Sequence, residues 1–160
     1  MHLNRSTDTA LRAVMLLASG GGRLTVDRLA DALDVPRNHL AKLVQRLQRH
    51  GFVVTARGRV GGVEVPEGAL DASVGAVVRA LEGDEEVVDC EGQPCPLRGG
   101  CHLRTALRQA QQAFLAVLDG VTVRALVATP TGPALLGLTA PALTAPAPLG
   151  TPAPVAAGRP

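Results

Sequence analysis

The chain has 160 residues, enough for one ordinary domain with appendages, and 46% of them are hydrophobic. With two Phe and no Trp or Tyr, the core must be built from Leu, Val and Ala, and base-stacking recognition of single strands is disfavoured. The net charge of +2 conceals an asymmetry: residues 1–66 carry ten Lys/Arg against five Asp/Glu, and residues 67–128 carry five against nine, so the front half suits a polyanion. Duplex DNA, read through Arg, Lys and Asn, fits that balance. The chain opens without a charged-then-apolar leader pattern and holds no uncharged apolar run of about 18 residues, so it is read as soluble and cytoplasmic, with no membrane partner.

In chain order, TDTALRAVMLLAS (7–19) predicts a helix with Ala10, Leu11, Val14, Leu17 and Ala18 on one wide stripe, ended by glycines from Gly20. Thr25 can cap a second helix through Leu33, with Val26, Leu29, Ala30 and Leu33 inward. Asp34 and Val35 turn the chain, and Pro36 suits the first turn of a third helix running to about Arg49. There Leu40, Leu43, Val44 and Leu47 must face the core. The opposite face carries Asn38, Lys42, Gln45 and Arg49, flanked by Arg37, His39 and Arg46. Alone, such a face is as readily a solvated surface as a recognition surface.

The next segment shifts that balance. FVVTARGRVGGVEV alternates apolar residues on both sides of a glycine-rich turn that holds Arg57 and Arg59. Helix–turn–helix followed by a basic-tipped hairpin is the winged-helix pattern. Its third helix enters the major groove, and its tip reaches phosphates or the minor groove.

SVGAVVRALE (73–82) predicts a short helix capped by Ser73. A long helix follows from about Leu103 to Leu118, where Leu103, Leu107, Ala110, Phe114 and Val117 form a narrow seam. Burial against the chain's own domain would explain that seam; a dimer interface is the preferred reading. VTVRALVA suits one further short helix. Eight of the twelve prolines lie in residues 129–160, which are expected to be a mostly disordered tail in which TGPALLGLT could dock locally.

The expected fold is therefore mainly α with a small β-hairpin wing: a winged helix-turn-helix (1–66), a connecting helix and cysteine loop (67–102), a dimerisation helix with a short following helix (103–128), and the tail (129–160).

Cys90, Cys95 and Cys101 are the chain's only cysteines, spaced C-x4-C-x5-C in the Gly/Pro-rich stretch CEGQPCPLRGGC. An odd count suits a disulfide poorly, while clustered thiolates suit a soft metal. Zinc with Cys90, Cys95, Cys101 and His102 is one reading, although adjacent ligands rarely both reach one ion and paired C-x2-C knuckles are lacking. Three unligated thiols is another. An iron–sulfur cluster is preferred, and its usual four ligands leave one to be supplied from elsewhere. Nothing resembles a catalytic constellation or a phosphate cradle, so no enzyme activity is expected.

The segment SVGAVVRALEGDEEVVDCEGQPCPLRGGCHLRTALRQAQQAFLAVLD, together with LNRSTDTALRAVMLLA, VPRNHLAKLVQRLQRHGFV and RGRVGG, resembles the NsrR group of nitric-oxide-sensing repressors, in the same superfamily as IscR. The resemblance spans about residues 1–138. It implies a homodimer bound to an inverted-repeat operator of double-stranded DNA, controlling nitric oxide detoxification genes. It also implies a [4Fe–4S] cluster held by the three cysteines and by Asp8 from the other subunit, with Arg12 supporting; a [2Fe–2S] cluster or zinc remains the alternative. On residues alone, Asp8 and Arg12 make an ordinary i,i+4 ion pair worth ~0.3–0.5 kcal/mol. IscR-like members use a histidine three positions past the last cysteine, where this chain has Arg104. An electron carrier, a zinc-stabilised regulator and a repressor reading cluster supply or oxidative stress are the competing functions.

Overall fold

The computed structural model describes residues 3–139 apart from 21, 59, 60, 84, 91, 93 and 98. Arg59 and the 140–160 part of the expected tail lie outside the described residues.

Helix α1 (Arg5–Ala18) starts earlier than its apolar stripe, because Asn4 caps it by accepting from the Ser6 N–H at 2.9 Å. The Asn4 N–H itself donates to Glu82 at 2.7 Å. Ala10 and Ala13 are wholly buried, and these small side chains let neighbouring helices approach α1 closely. Helix α2 (Val26–Leu33) is capped by Thr25, which accepts from the Arg28 N–H at 3.2 Å, and ends at Asp34 in the left-handed region. Helix α3 (Arg37–Arg49) follows Pro36, and its buried residues are the predicted Leu40, Leu43, Val44 and Leu47.

Strands β1 (Val54–Ala56) and β2 (Gly62–Glu64) pair antiparallel, with Thr55 opposite Val63. Leu24 extends the hairpin on its other edge, exchanging two backbone hydrogen bonds with Val63 at 3.1 and 2.8 Å. The Arg23–Glu64 ion pair, 2.7 Å, fastens the same edge, and the Arg23 hydrogen bond holds the Glu64 carboxyl below its ordinary value. The wing therefore sits on the α1–α2 connection. Its turn needs glycine at Gly61, where a Cβ would stand 2.6 Å from the Ala56 carbonyl oxygen.

A four-residue helix α4 (Glu67–Leu70), too short for any periodic signal, leads to α5 (Val74–Glu82), capped by Ser73. Helix α6 (His102–Asp119) packs on α5 yet buries none of its residues: Leu107 and Phe114 are half-covered, while Leu103 and Val117 are 65% and 71% exposed. Helix α7 (Val123–Leu126) is capped by Thr122. The first part of the expected tail forms helix α8 (Thr131–Thr139), which packs on α1 and α2, with Arg28 donating to the Thr139 carbonyl at 3.3 Å. The chain is thus mainly α with a two-stranded wing, around one core of Leu16, Leu29, Leu40, Leu47, Val63 and Val77.

The two ends of α5 and α6 are tied near Asp119, which receives hydrogen bonds from Arg79 and, at 3.3 Å, from Ser73. Gly75 makes room for that carboxylate, since a methyl group there would collide with it. The Arg79 hydrogen bond holds Asp119 below its ordinary value of 3.8. A carboxyl lowered in the folded state adds stability above its unfolded value, and that stability is lost as pH falls through the folded value. Asp119→Asn should accordingly be less stable than the parent at neutral pH, and the gap should shrink as acid protonates the carboxylate. Urea midpoints measured down the acid limb would check this.

Candidate metal centre and nucleic-acid interface

On α3, the core-facing leucines leave Asn38, Lys42, Gln45 and Arg49 on the exposed side. Gln45, Gln48 and Arg49 line an open cleft of about 550 Å³. Thr55 on the wing donates to the Gln48 side chain at 3.1 Å, so the end of α3 and the hairpin present one continuous surface. Arg57 is exposed at the start of the wing turn.

Three further candidate residues are engaged with neighbours or partly covered. Arg37 is paired with Asp27 of α2 at 2.5 Å, which fixes its side chain across the turn of the helix–turn–helix. His39 is half-buried. Arg46 turns inward, its guanidinium donating to the carbonyl of Leu81 near the end of α5. The recognition candidate α3 is therefore fastened to the helix that leads into the cysteine segment. Helical spacing placed Arg46 beside the polar face; its partner, 35 residues away, had no sequence signal.

Cys90, Cys95 and Cys101 are uncrosslinked and half-buried. Cys101 ends the loop as the N-cap of α6, its Sγ accepting from the Arg104 N–H at 3.4 Å. The Cys90 N–H donates to the Val88 carbonyl at 3.0 Å, and Asp89 accepts from the Gly92 N–H at 2.6 Å. The loop entrance lies along α6. Gln111 donates to the Glu85 carbonyl at 2.8 Å, and the Arg104 guanidinium holds both Glu86 carboxylate oxygens, at 2.7 and 3.0 Å. That bond keeps Glu86 below its ordinary value. Arg104 lines two clefts of about 440 Å³, one including Cys90 and the other Cys101 and the exposed His102.

Among the described residues no three His, Cys, Asp or Glu side chains are gathered tightly enough to hold a metal. The donors nonetheless fit a soft centre in kind: three thiols, none in a disulfide, on a loop held at both ends. Asp8, in the first turn of α1, is 49% exposed and accepts from Arg12 at 3.0 and 3.2 Å. Within one chain this is the i,i+4 ion pair that the spacing predicts. No described helix is long and apolar enough to cross a membrane.

Residues 3–129 match the family Rrf2, described as "Iron-dependent Transcriptional regulator". The chain belongs to the Rrf2 family. It is 53% identical over 143 residues, 87% of its length and 97% of the relative's, to the HTH-type transcriptional repressor NsrR of Streptomyces coelicolor. Among solved structures, the global cysteine regulator CymR of B. subtilis aligns with TM-score 0.63 at 23% identity, covering 79% of this chain and 95% of that one. IscR of T. potens aligns with TM-score 0.62 at 20% identity, covering 79% and 86%. These two likenesses bear on the fold, which they share with the winged-helix arrangement described above. As an Rrf2 protein the chain is a transcriptional regulator and not an enzyme.

The inward and outward cations of α3 should separate by experiment. Arg46→Ala should lower stability by about 1.5–3 kcal/mol, the range for a hydrogen bond to a charged group. Lys42→Ala, on the exposed side, should leave it within about 0.5 kcal/mol of the parent. Urea unfolding of both variants checks the assignment.

Proposed function

We propose that this chain is a cytoplasmic repressor that binds double-stranded DNA as a homodimer and senses nitric oxide through a [4Fe–4S] cluster. Cys90, Cys95 and Cys101 would hold the cluster, with the partner subunit's Asp8 as fourth ligand. The observation that carries this reading is the trio of uncrosslinked, half-buried thiols on a loop held by α6, in a chain 53% identical to a repressor named NsrR. When bound, the cluster supplies iron open to attack by a small diatomic molecule.

The remaining work falls to the chain. A carboxylate is a hard oxygen donor and a weaker match to cluster iron than thiolate, so Asp8 would be the ligand most readily given up. Asp8 sits on α1, and α1 packs directly on α3. Loss of a tie between subunits at α1 would therefore reach the recognition helices. Operator half-sites lie at a fixed helical spacing, so a modest shift of the two helices abolishes specific binding. The unburied seam of α6, with Leu103 and Val117 exposed, supports a second copy packing there. Lys42, Asn38 and Gln45 would read base edges, Arg49 and Arg57 would meet phosphates, and Arg37 would be aimed by Asp27. Arg59 belongs to the same wing in sequence.

Anaerobic purification should yield a brown protein with iron and sulfide. Each of Cys90→Ala, Cys95→Ala and Cys101→Ala should lose that chromophore, and full iron and sulfide in all three would sink the assignment. Asp8→Ala should keep a cluster but show an altered spectrum and an altered nitric oxide titration. A colourless zinc protein indifferent to nitric oxide is the competing outcome.

On DNA, Arg57→Ala should weaken operator binding and make its salt slope shallower by about one unit. Asn38→Ala and Lys42→Ala should each lose about 1–3 kcal/mol of discrimination against random DNA if each removes a direct base contact. Competition titrations over a salt series measure both, and unchanged binding in all three would leave this surface without a role.

A further inference from the structure

We propose that Glu86 and Arg104 form a clamp that positions the cysteine donors, closing the base of the loop that carries them. The inference rests on the cluster reading for its chemistry and on the geometry for its substance. Glu86 lies four residues before Cys90, and Arg104 lies three residues after Cys101. Their two-point contact, at 2.7 and 3.0 Å, thus joins the two ends of the segment holding all three thiols. Both side chains are about three-quarters covered, at 26% and 31% exposure, unlike the open Asp8–Arg12 pair. The same Arg104 supplies the backbone N–H on Cys101 Sγ and lines the clefts that include Cys90 and Cys101. Gln111 holds the neighbouring Glu85 carbonyl one further stretch along α6.

The Arg104 guanidinium meets the Glu86 carboxylate at two points. The planar fork fixes both the distance and the direction of the loop entrance relative to α6, which a single-point contact cannot do. Residues of this kind act through the ligands and not on the metal, and their loss typically weakens metal holding without removing a ligand. Glu86 and Arg104 are therefore positioning residues.

The test uses the full chain in two states. In the anaerobically loaded protein, iron release to the iron(II) chelator ferrozine should be about 10- to 100-fold faster in Glu86→Ala and Arg104→Ala than in the parent. In the metal-free reduced protein, amide hydrogen exchange of residues 85–90 should accelerate in the same two variants. The exchanged pair Glu86→Arg with Arg104→Glu should recover both rates toward the parent. Arg104→Lys, with one contact in place of two, should fall between. Arg124→Ala, which breaks a remote ion pair with Asp71 and Glu67, is the control and should release iron at the parent rate. Parent rates in both measurements for both single variants overturn the proposal. Faster exchange with unchanged iron release also overturns it, because the pair would then be a fold contact only. If the parent itself holds no iron and sulfide, the cluster reading fails, and hydrogen exchange alone decides whether the clamp exists.

Discussion

Helix α1 is the element on which the other parts of the fold depend. It packs against α2, α3, α5, α7, α8 and β2. That many neighbours can share one helix only because its contact positions are small: Ala10 and Ala13 are wholly buried, with Leu16 and Leu17 filling the spaces further along. Close-packed interiors do not absorb a displacement locally; they pass it on. The same helix carries Asp8 on its exposed side and is capped by Asn4, whose N–H is held by Glu82 at the end of α5. A bond made or lost at Asp8 thus acts on the helix least able to move alone.

The charge pattern of the chain takes its meaning from these contacts. Several acidic residues of the middle segment are paired with arginines. Glu67 and Asp71 meet Arg124, Glu86 meets Arg104, and Asp119 meets Arg79. In the basic front, Arg23, Arg37 and Arg46 are also engaged, with Glu64, Asp27 and the Leu81 carbonyl. Lys42, Arg49 and Arg57 remain on the exposed side of α3 and the wing. Net charge by segment marks the front half as basic, and the fold separates Arg46, which turns inward, from Lys42, Arg49 and Arg57, which face solvent.

Much of the fold was legible because its helices carry local signals. Thr25 and Ser73 cap the helices they were expected to cap, and the leucines of α3 repeat at the spacing that buries them. Helix α4 was not legible, since four residues hold no period. Helix α8 was obscured by composition, yet its Pro133 falls in the first turn, where a missing N–H costs little. Gly132 is buried where a Cβ would strike the Val127 carbonyl, so glycine at that position permits the packing. The three cysteines stand out in the sequence by their clustering alone. The Glu86–Arg104 pair does not, because its partners approach through an irregular Gly/Pro segment that no periodicity describes. Within one chain Arg12 already partners Asp8, so the ligand role proposed above would need a second subunit.

Helix α6 joins these threads. It has no fully buried residue, and only residues such as Leu107 and Phe114 are half-covered against α5, so packing supplies only part of its hold. Contacts near its two ends compensate. Cys101 caps its start, Arg104 and Gln111 grip the loop entrance, and Asp119 at its far end is held by Arg79 and Ser73 of the α5 region. Fastened in this way, α6 keeps Leu103 and Val117 exposed without losing its place on α5. The base of the cysteine loop and the apolar seam consequently both rest on α6. On the reading proposed above, a change at the donors and a change at the subunit contact are then two ends of the same displacement, and no separate relay between them is required.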